Sequence, residues 1–352
     1  MFPFDQAGPT AFYLTLYLGT LVLHVLPMAY VVAGSAILMT RVVFQPRLVD
    51  EALTVHLRQW LPFILSAAIT AGVAPLLFLQ ILYQREFYTA NLLLFHRWMA
   101  ILPVLIAGFY LLYLLKGNWL WQRHFVWRAV VVVLVFALFA FVGWSWTENH
   151  LLSLAGQTTW TAHYQAGRLY FLPREIWPRL GTWLGGVFPV MAAIVAWPLA
   201  RREAGVGLAK RLAMIAVAGT TVSAACGVCY VARIDVVART GILSSPWRVW
   251  HVAVILGIVL QIVGWAIAWR TDRLTGLVRG LTSTGVVASV AGVVACREAV
   301  RLSRLDMASL LPRHTAAAHV DGFWLFAVFL LLNAVAIGIC IAVVARNVRS
   351  VE

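Results

Sequence analysis

Nine stretches of this chain are apolar and long enough to cross a bilayer, and little else fits between them. A hydrocarbon core about 30 Å thick takes about 20 apolar residues in a helix. It holds no water to satisfy the backbone, so only helices or closed barrels span it. Such windows fall at 11–40, 59–84, 96–116, 127–147, 177–200, 209–232, 249–269, 277–300 and 322–346. In the eighth, Arg279, Thr282, Ser283 and Thr284 thin the first turns. Hydrophobic residues make up 62% of the chain and charged residues 11%, which excludes an ordinary soluble domain. The longest connection, 148–176, is too short to hold one. The chain therefore reads as an all-α polytopic membrane protein, a single integral membrane domain over 1–352. Helices 1–4 are expected over about 11–147 and helices 5–9 over about 177–346.

Charge and aromatic placement follow from the bilayer. A net charge of +14 would suggest nucleic acid in a soluble protein. Here the basic residues sit mostly at span ends, where they reach anionic headgroups, so lipid and not nucleic acid is the expected partner. Many of the 16 tryptophans lie at span edges, as in an aromatic belt. Alternate connections collect fifteen Lys and Arg on one side and twelve on the other, which favours an external N-terminus. The expected location is a bacterial cytoplasmic (inner) membrane, with several passes. Met1 to Asp5 lack the positive stretch of a cleavable signal, so the first span is expected to remain as a helix.

Polar residues inside the spans are the candidates for chemistry. His24 lies in a run, Ala11 to Thr40, that has no Asp, Glu, Lys or Arg. An ionisable group at membrane depth persists because it serves a function or because a neighbouring helix satisfies it. Neutral imidazole is also the commonest metal or haem ligand. His96 opens the third span, and His251 lies a turn or two into the seventh. By counting rise per residue His24 is about 20 Å deep, so His24 and His251 are not expected to clasp one iron, whereas His96 and His251 could. The bland alternative for His96 is an interfacial residue beside Arg97 and Trp98. Gln80 follows Pro75, whose freed carbonyl it could satisfy, or it could face a pocket with His24. His56, His124, His150, His163, His314 and His319 are expected as solvated loop residues. Cys226 and Cys229 form a C-x-x-C pair followed by Tyr230, not the His of a covalent haem site. With Cys296 and Cys340, they read as small buried hydrophobes. Gly185-Gly186 reads as helix-packing surface.

Three stretches resemble subunit I of the cytochrome bd quinol oxidases. They are Leu23-His24-Val25-Leu26-Pro27 running on to Gly34, then Gln59-Trp60-Leu61-Pro62-Phe63 with Gly72-Val73-Ala74 and Phe87-Tyr88, and Gly143-Trp144-Ser145-Trp146-Thr147-Glu148-Asn149. The resemblance covers most of the first 200 residues and implies haem b bound through His24. It also implies a place in a respiratory electron-transfer complex, beside other membrane subunits and a c-type cytochrome or quinone. The departures are as informative. Pro178-Arg179-Leu180-Gly181-Thr182-Trp183 lacks the family's haem-ligating His. In Trp247-Arg248-Val249-Trp250-His251, Arg248 matches the family's Arg, and His251 is a displaced substitute for its Met ligand. Gln80 stands where the family has a carboxylate, and only about fourteen residues join spans six and seven, where the family has its quinol loop.

Oxygen reduction needs carboxylates for protons and ligands for several haems, so full oxidase chemistry is not expected. The candidate cofactor site is then His24, His251, Arg248, Gln80 and His96, with His24 and His251 as iron ligands and no catalytic residue assigned. Two alternatives stay open: a cofactor-free anchor or scaffold of such a complex, and an unrelated transporter. Against the transporter, the spans are expected to lack paired buried charges and an inverted repeat of broken helices.

Overall fold

The computed structural model describes residues 8–200, 207–305 and 307–318, with residues 328, 331, 332 and 335. Apart from those four residues the expected ninth span lies outside the described residues, as do His319, Asp321 and Cys340. The described chain is helical: α1 (Gly8–Phe44), α2 (Ala52–Leu82), α3 (Gln84–Leu93), α4 (Phe95–Lys116), α5 (Asn118–Trp121), α6 (Phe125–Ser153), α7 (Gly156–Gln165), α8 (Ile176–Leu199), α9 (Leu208–Arg233), α10 (Val236–Ile242), α11 (Arg248–Thr271), α12 (Gly276–Arg304) and α13 (Met307–Ala318). Eight of these, α1, α2, α4, α6, α8, α9, α11 and α12, are long and apolar enough to cross a membrane. They match the first eight expected spans, and the architecture is that of a multi-pass helical membrane protein.

The helices run past the apolar windows that announce them. α1 continues to Phe44, α6 to Ser153 and α12 to Arg304, carrying polar residues into helical register. Prolines at 27, 62, 75, 103, 189 and 198 sit inside helices, as packed membrane helices tolerate. Caps come from short polar side chains. The Asp235 carboxylate accepts from the Ala238 N–H at 2.8 Å to start α10. Asp272, just after α11, accepts from the Gly207 N–H at 2.7 Å and so ties the start of α9 to the end of α11.

Three sequential pairs pack most extensively: α1 with α2, α8 with α9, and α11 with α12. α1 also meets α6, α8 and α12, which makes it the central helix. The α11–α12 pair is close because glycine faces glycine. A Cβ on Gly285 would lie 2.6 Å from the Gly257 carbonyl oxygen. Gly185 likewise abuts α9, where its Cβ would lie 2.6 Å from the Ser223 nitrogen, in keeping with its reading as packing surface.

Four histidines expected in solvated loops are buried instead. His56 is in α2 at 3% exposure, His150 in α6 at 7%, His163 in α7 at 3% and His314 in α13 at 1%. The helices extend through those segments and fold them inward. His314 is fully satisfied: Nε2–H donates to the Leu82 carbonyl at 2.8 Å, and Nδ1 accepts from the Thr10 hydroxyl at 2.9 Å. His124 is exposed and caps α6, as a loop residue should. Of the cysteines, Cys226 and Cys296 are half-buried, while Cys229 is exposed on α9 and so departs from the expectation of burial.

Candidate functional site

The apolar core of the bundle is divided in two at the depth of His24. One core, proximal to the start of α1, contains Leu14, Tyr17, Leu18 and Leu21 of α1, Phe78 and Leu79 of α2, and Val294 and Ala295 of α12. The distal core begins at Ala29 of α1, and takes Leu65 of α2 and Val286 of α12. Between them none of residues 22–28 of α1 is buried, although two turns point to every side. The neighbouring helices thin out as well: 181–184 of α8 and 288–291 of α12 are half-buried, as are 140–147 of α6 apart from Ser145. Tyr17 of α1 meets Arg297 of the antiparallel α12. Seven residues further in, about 10 Å, His24 comes level with Val290, which touches both cores.

Within this thin layer His24 is held in one orientation. Its Nδ1 lies 2.9 Å from the Ala68 carbonyl of α2. A carbonyl only accepts, so the proton is on Nδ1 and Nε2 carries a lone pair. An Nδ1–H bond to a backbone carbonyl is the arrangement that fixes the tautomer of metal-bound imidazoles. Gly72, one turn beyond Ala68, makes the seat. A Cβ there would lie 2.9 Å from the His24 Cε1 and 3.0 Å from its Nδ1. On α6, Gly143 makes the same concession to the Trp183 indole of α8.

Capping the layer on the proximal side is a set of buried charges. Glu298 is fully buried, with Arg301 at 3.3 Å from both its oxygens and Arg297 at 3.8 Å. Arg301 also donates to Tyr17 at 3.3 Å and to His150 Nδ1, and lies 4.5 Å from the Tyr83 ring centroid. Arg304 grips Glu175 through two bonds of 2.8 and 3.0 Å and meets Asp235 at 2.7 Å. Separately, the fully buried Glu148 pairs with Arg97 at 3.1 Å. Glu148 also accepts from the Trp144 indole at 3.1 Å and the Phe171 N–H at 2.5 Å, pinning the α7–α8 connection to the bundle. The expectation that the spans lack paired buried charges is therefore corrected. Arg97, Arg297 and Glu298 fall inside expected spans and Glu148 just past one, so counting apolar windows passes over their pairing. Their signal was present in spacing: 297, 298, 301 and 304 share a helical face, and 298 and 301 are an i,i+3 pair.

The five expected site residues are not gathered into one cluster by hydrogen bonds. His251 Nδ1 is 3.0 Å from the Trp247 carbonyl of its own helix, so its Nε2 also carries the lone pair. Gly292 of α12 abuts the Trp250 carbonyl beside His251, on a helix, α11, that packs against α12 and α9. Arg248 is exposed in the first turn of α11, and His96 is exposed in the first turn of α4 with its ring 6.5 Å from that of Tyr170. Gln80 is half-buried eight residues beyond Gly72, about 12 Å along α2, level with Tyr17 and not with His24. Among the described residues no group of three or more His, Cys, Asp or Glu could hold a metal ion. The donor fits an imidazole ligand to a metal: a nitrogen with a fixed lone pair, seated on glycine, in a layer whose side chains are only partly buried. Comparison of the chain with protein-family models, curated proteins and solved structures finds no match.

Proposed function

We propose that this chain is an integral membrane subunit of a respiratory electron-transfer complex, bd-like in plan, that holds a b-type haem in the layer around His24. The observation that carries this reading is the oriented His24, with Nδ1–H on the Ala68 carbonyl and the Nε2 lone pair free. His24 would hold the haem iron through Nε2, and His251, whose lone pair is fixed in the same way, is the candidate for a second ligand. The haem would supply one-electron chemistry. The protein's part is to orient the imidazole, exclude water with the two apolar cores, and place positive charge on the proximal side. The natural companions of such a subunit are further membrane subunits and an electron carrier, a c-type cytochrome or a quinone.

The test is an absorbance spectrum of the protein purified after expression with ample haem. A Soret band with α-band peaks in the reduced-minus-oxidised difference is the expected result. A colourless protein overturns the haem reading and favours a cofactor-free anchor. The buried pairs Arg97–Glu148 and Glu298–Arg301 are the observation on which a transporter reading draws, and solute movement by colourless protein in vesicles would favour it.

A further inference from the structure

The outer side of α12 carries a groove. Ser283, Thr284, Val287, Ala288 and Ala291 line it, and its volume is about 420 Å³. Steps of three and four residues keep these side chains on one side of the helix. Thr284 and Val287 are exposed, and the other three are half-buried. Gly280, one turn before Thr284, extends the hollow, since a Cβ there would meet nothing within 4 Å. The face that packs on α11 lies beside the groove, at Gly285, Ser289 and Gly292.

A cation stands at the distal mouth of this groove. The guanidinium of Arg279, in the first turn of α12, lies 4.7 Å from the ring centroid of Trp197 of α8, a cation–π contact. The Trp197 indole N–H donates in turn to the Ser283 hydroxyl at 2.9 Å, so cation, indole and groove are joined by contact. Arg279 Nε donates to the Thr275 carbonyl at 3.4 Å, and no carboxylate pairs with this side chain among the described residues. A half-exposed Trp beside an Arg is the pattern of a bilayer edge. From Arg279 to Ala291 is twelve residues, about 18 Å of helix, against about 15 Å for half a hydrocarbon core. The groove thus runs from headgroup level to about the midplane, which is the reach of one acyl chain.

We propose that an anionic phospholipid binds here, its phosphate accepting from the Arg279 guanidinium and one acyl chain lying along Ser283 to Ala291. Charge complementarity selects this occupant: a fixed cation with no carboxylate partner stands over an apolar groove one leaflet deep. Arg270 and Arg273, exposed at the same end of the bundle, add positive charge around the head. A zwitterionic lipid brings no net negative charge to that end. The proposal does not rest on the haem reading.

The experiment uses full-length protein in a mild neutral detergent. Phosphatidylglycerol and phosphatidylcholine with the same acyl chains are titrated in separately. Bound lipid is counted by native mass spectrometry, and melting midpoints are followed in parallel. Phosphatidylglycerol should be retained at one saturable site per chain and raise the midpoint by a few degrees, and phosphatidylcholine should do neither. Arg279→Gln should weaken that binding about tenfold. Lys116→Gln, which removes an exposed cation from the end of α4, should leave it unchanged. Ala288→Trp should fill the groove and abolish retention while its midpoint in phosphatidylcholine stays that of the unsubstituted protein. Glycerol phosphate, a head without chains, should not raise the midpoint, and a rise would replace the lipid with a free phosphate. Equal retention of both lipids, an unaltered response in Arg279→Gln, or crosslinking of Ala288→Cys to a second protein chain in native membranes overturns the proposal.

Discussion

Residues 29–38 of α1 are buried on every side, whereas the two turns before them, 22–28, are buried on none. Both segments are apolar and helical, so composition does not separate them. Their neighbours do. The distal half is met by Leu57 and Leu61 of α2, both fully buried, with Gly34 close enough that a Cβ would lie 3.0 Å from Leu61 Cδ2. The His24 layer is met by glycines and by partly covered side chains, and it is capped by charges. The distal half of α1 is thus closed by packing, and the layer above it is only partly covered.

This contrast can be broken by substitution. The largest effect is expected in the charged cap. Glu298→Ala strands Arg301 and Arg297, and removing one partner of a buried pair costs about 3–5 kcal/mol. A melting midpoint within a degree of the unsubstituted protein would show that the cap is hydrated and not buried. Next comes packing. Leu57→Ala in the distal core should cost about 2–5 kcal/mol. Leu26→Ala in the thin layer should cost about 1 kcal/mol, because its side chain is only half-buried. Equal costs would mean the layer is packed like the core. Gly72→Ala should turn the His24 ring off its seat and lose one hydrogen bond, about 1 kcal/mol. Its sharper readout is a shifted or depleted haem band, and an unchanged band would separate Gly72 from the site.

The smallest effect is in pH dependence and lies outside the spans. Burial, followed by the Arg168 charge, holds His163 below the ordinary imidazole value of 6.5. Burial also lowers His314, against its bond to the Leu82 carbonyl and the Glu86 charge. Both are neutral in the fold and take up protons more readily when unfolded. The stability they supply is therefore present above about pH 6.5 and is lost as pH falls through their folded values. Melting midpoints should fall on acidification, and less so in His163→Phe. A midpoint that rises on acidification would contradict the assignment.

The sequence made the eight described spans legible because bilayer thickness imposes a length that apolar windows detect directly. It did not expose the charged cap. Arg297 and Glu298 lie inside an expected span, and Glu148 and His150 just past one, yet their partners are 51 to 280 residues away or on the far side of a helix turn. Burial of a polar residue near a span end is decided by its partners in space, so His150 reads like a loop residue in one dimension. His24 was legible for the opposite reason: nothing polar surrounds it in sequence, and its anomaly is local. Its seat on Ala68 and Gly72 was not legible, since the pairing of α1 with α2 in register is a tertiary fact.

On the proposed reading, the break between the two cores exists for a group bound through His24. The most direct measurement is haem content and reduced-minus-oxidised absorbance of His24→Ala beside Ser35→Ala, a substitution in the closed distal half. His24→Ala should lose or shift a haem signal while still inserting in the membrane, and Ser35→Ala should keep its spectrum. An identical spectrum in His24→Ala, or no pigment in the unsubstituted protein, would contradict that reading.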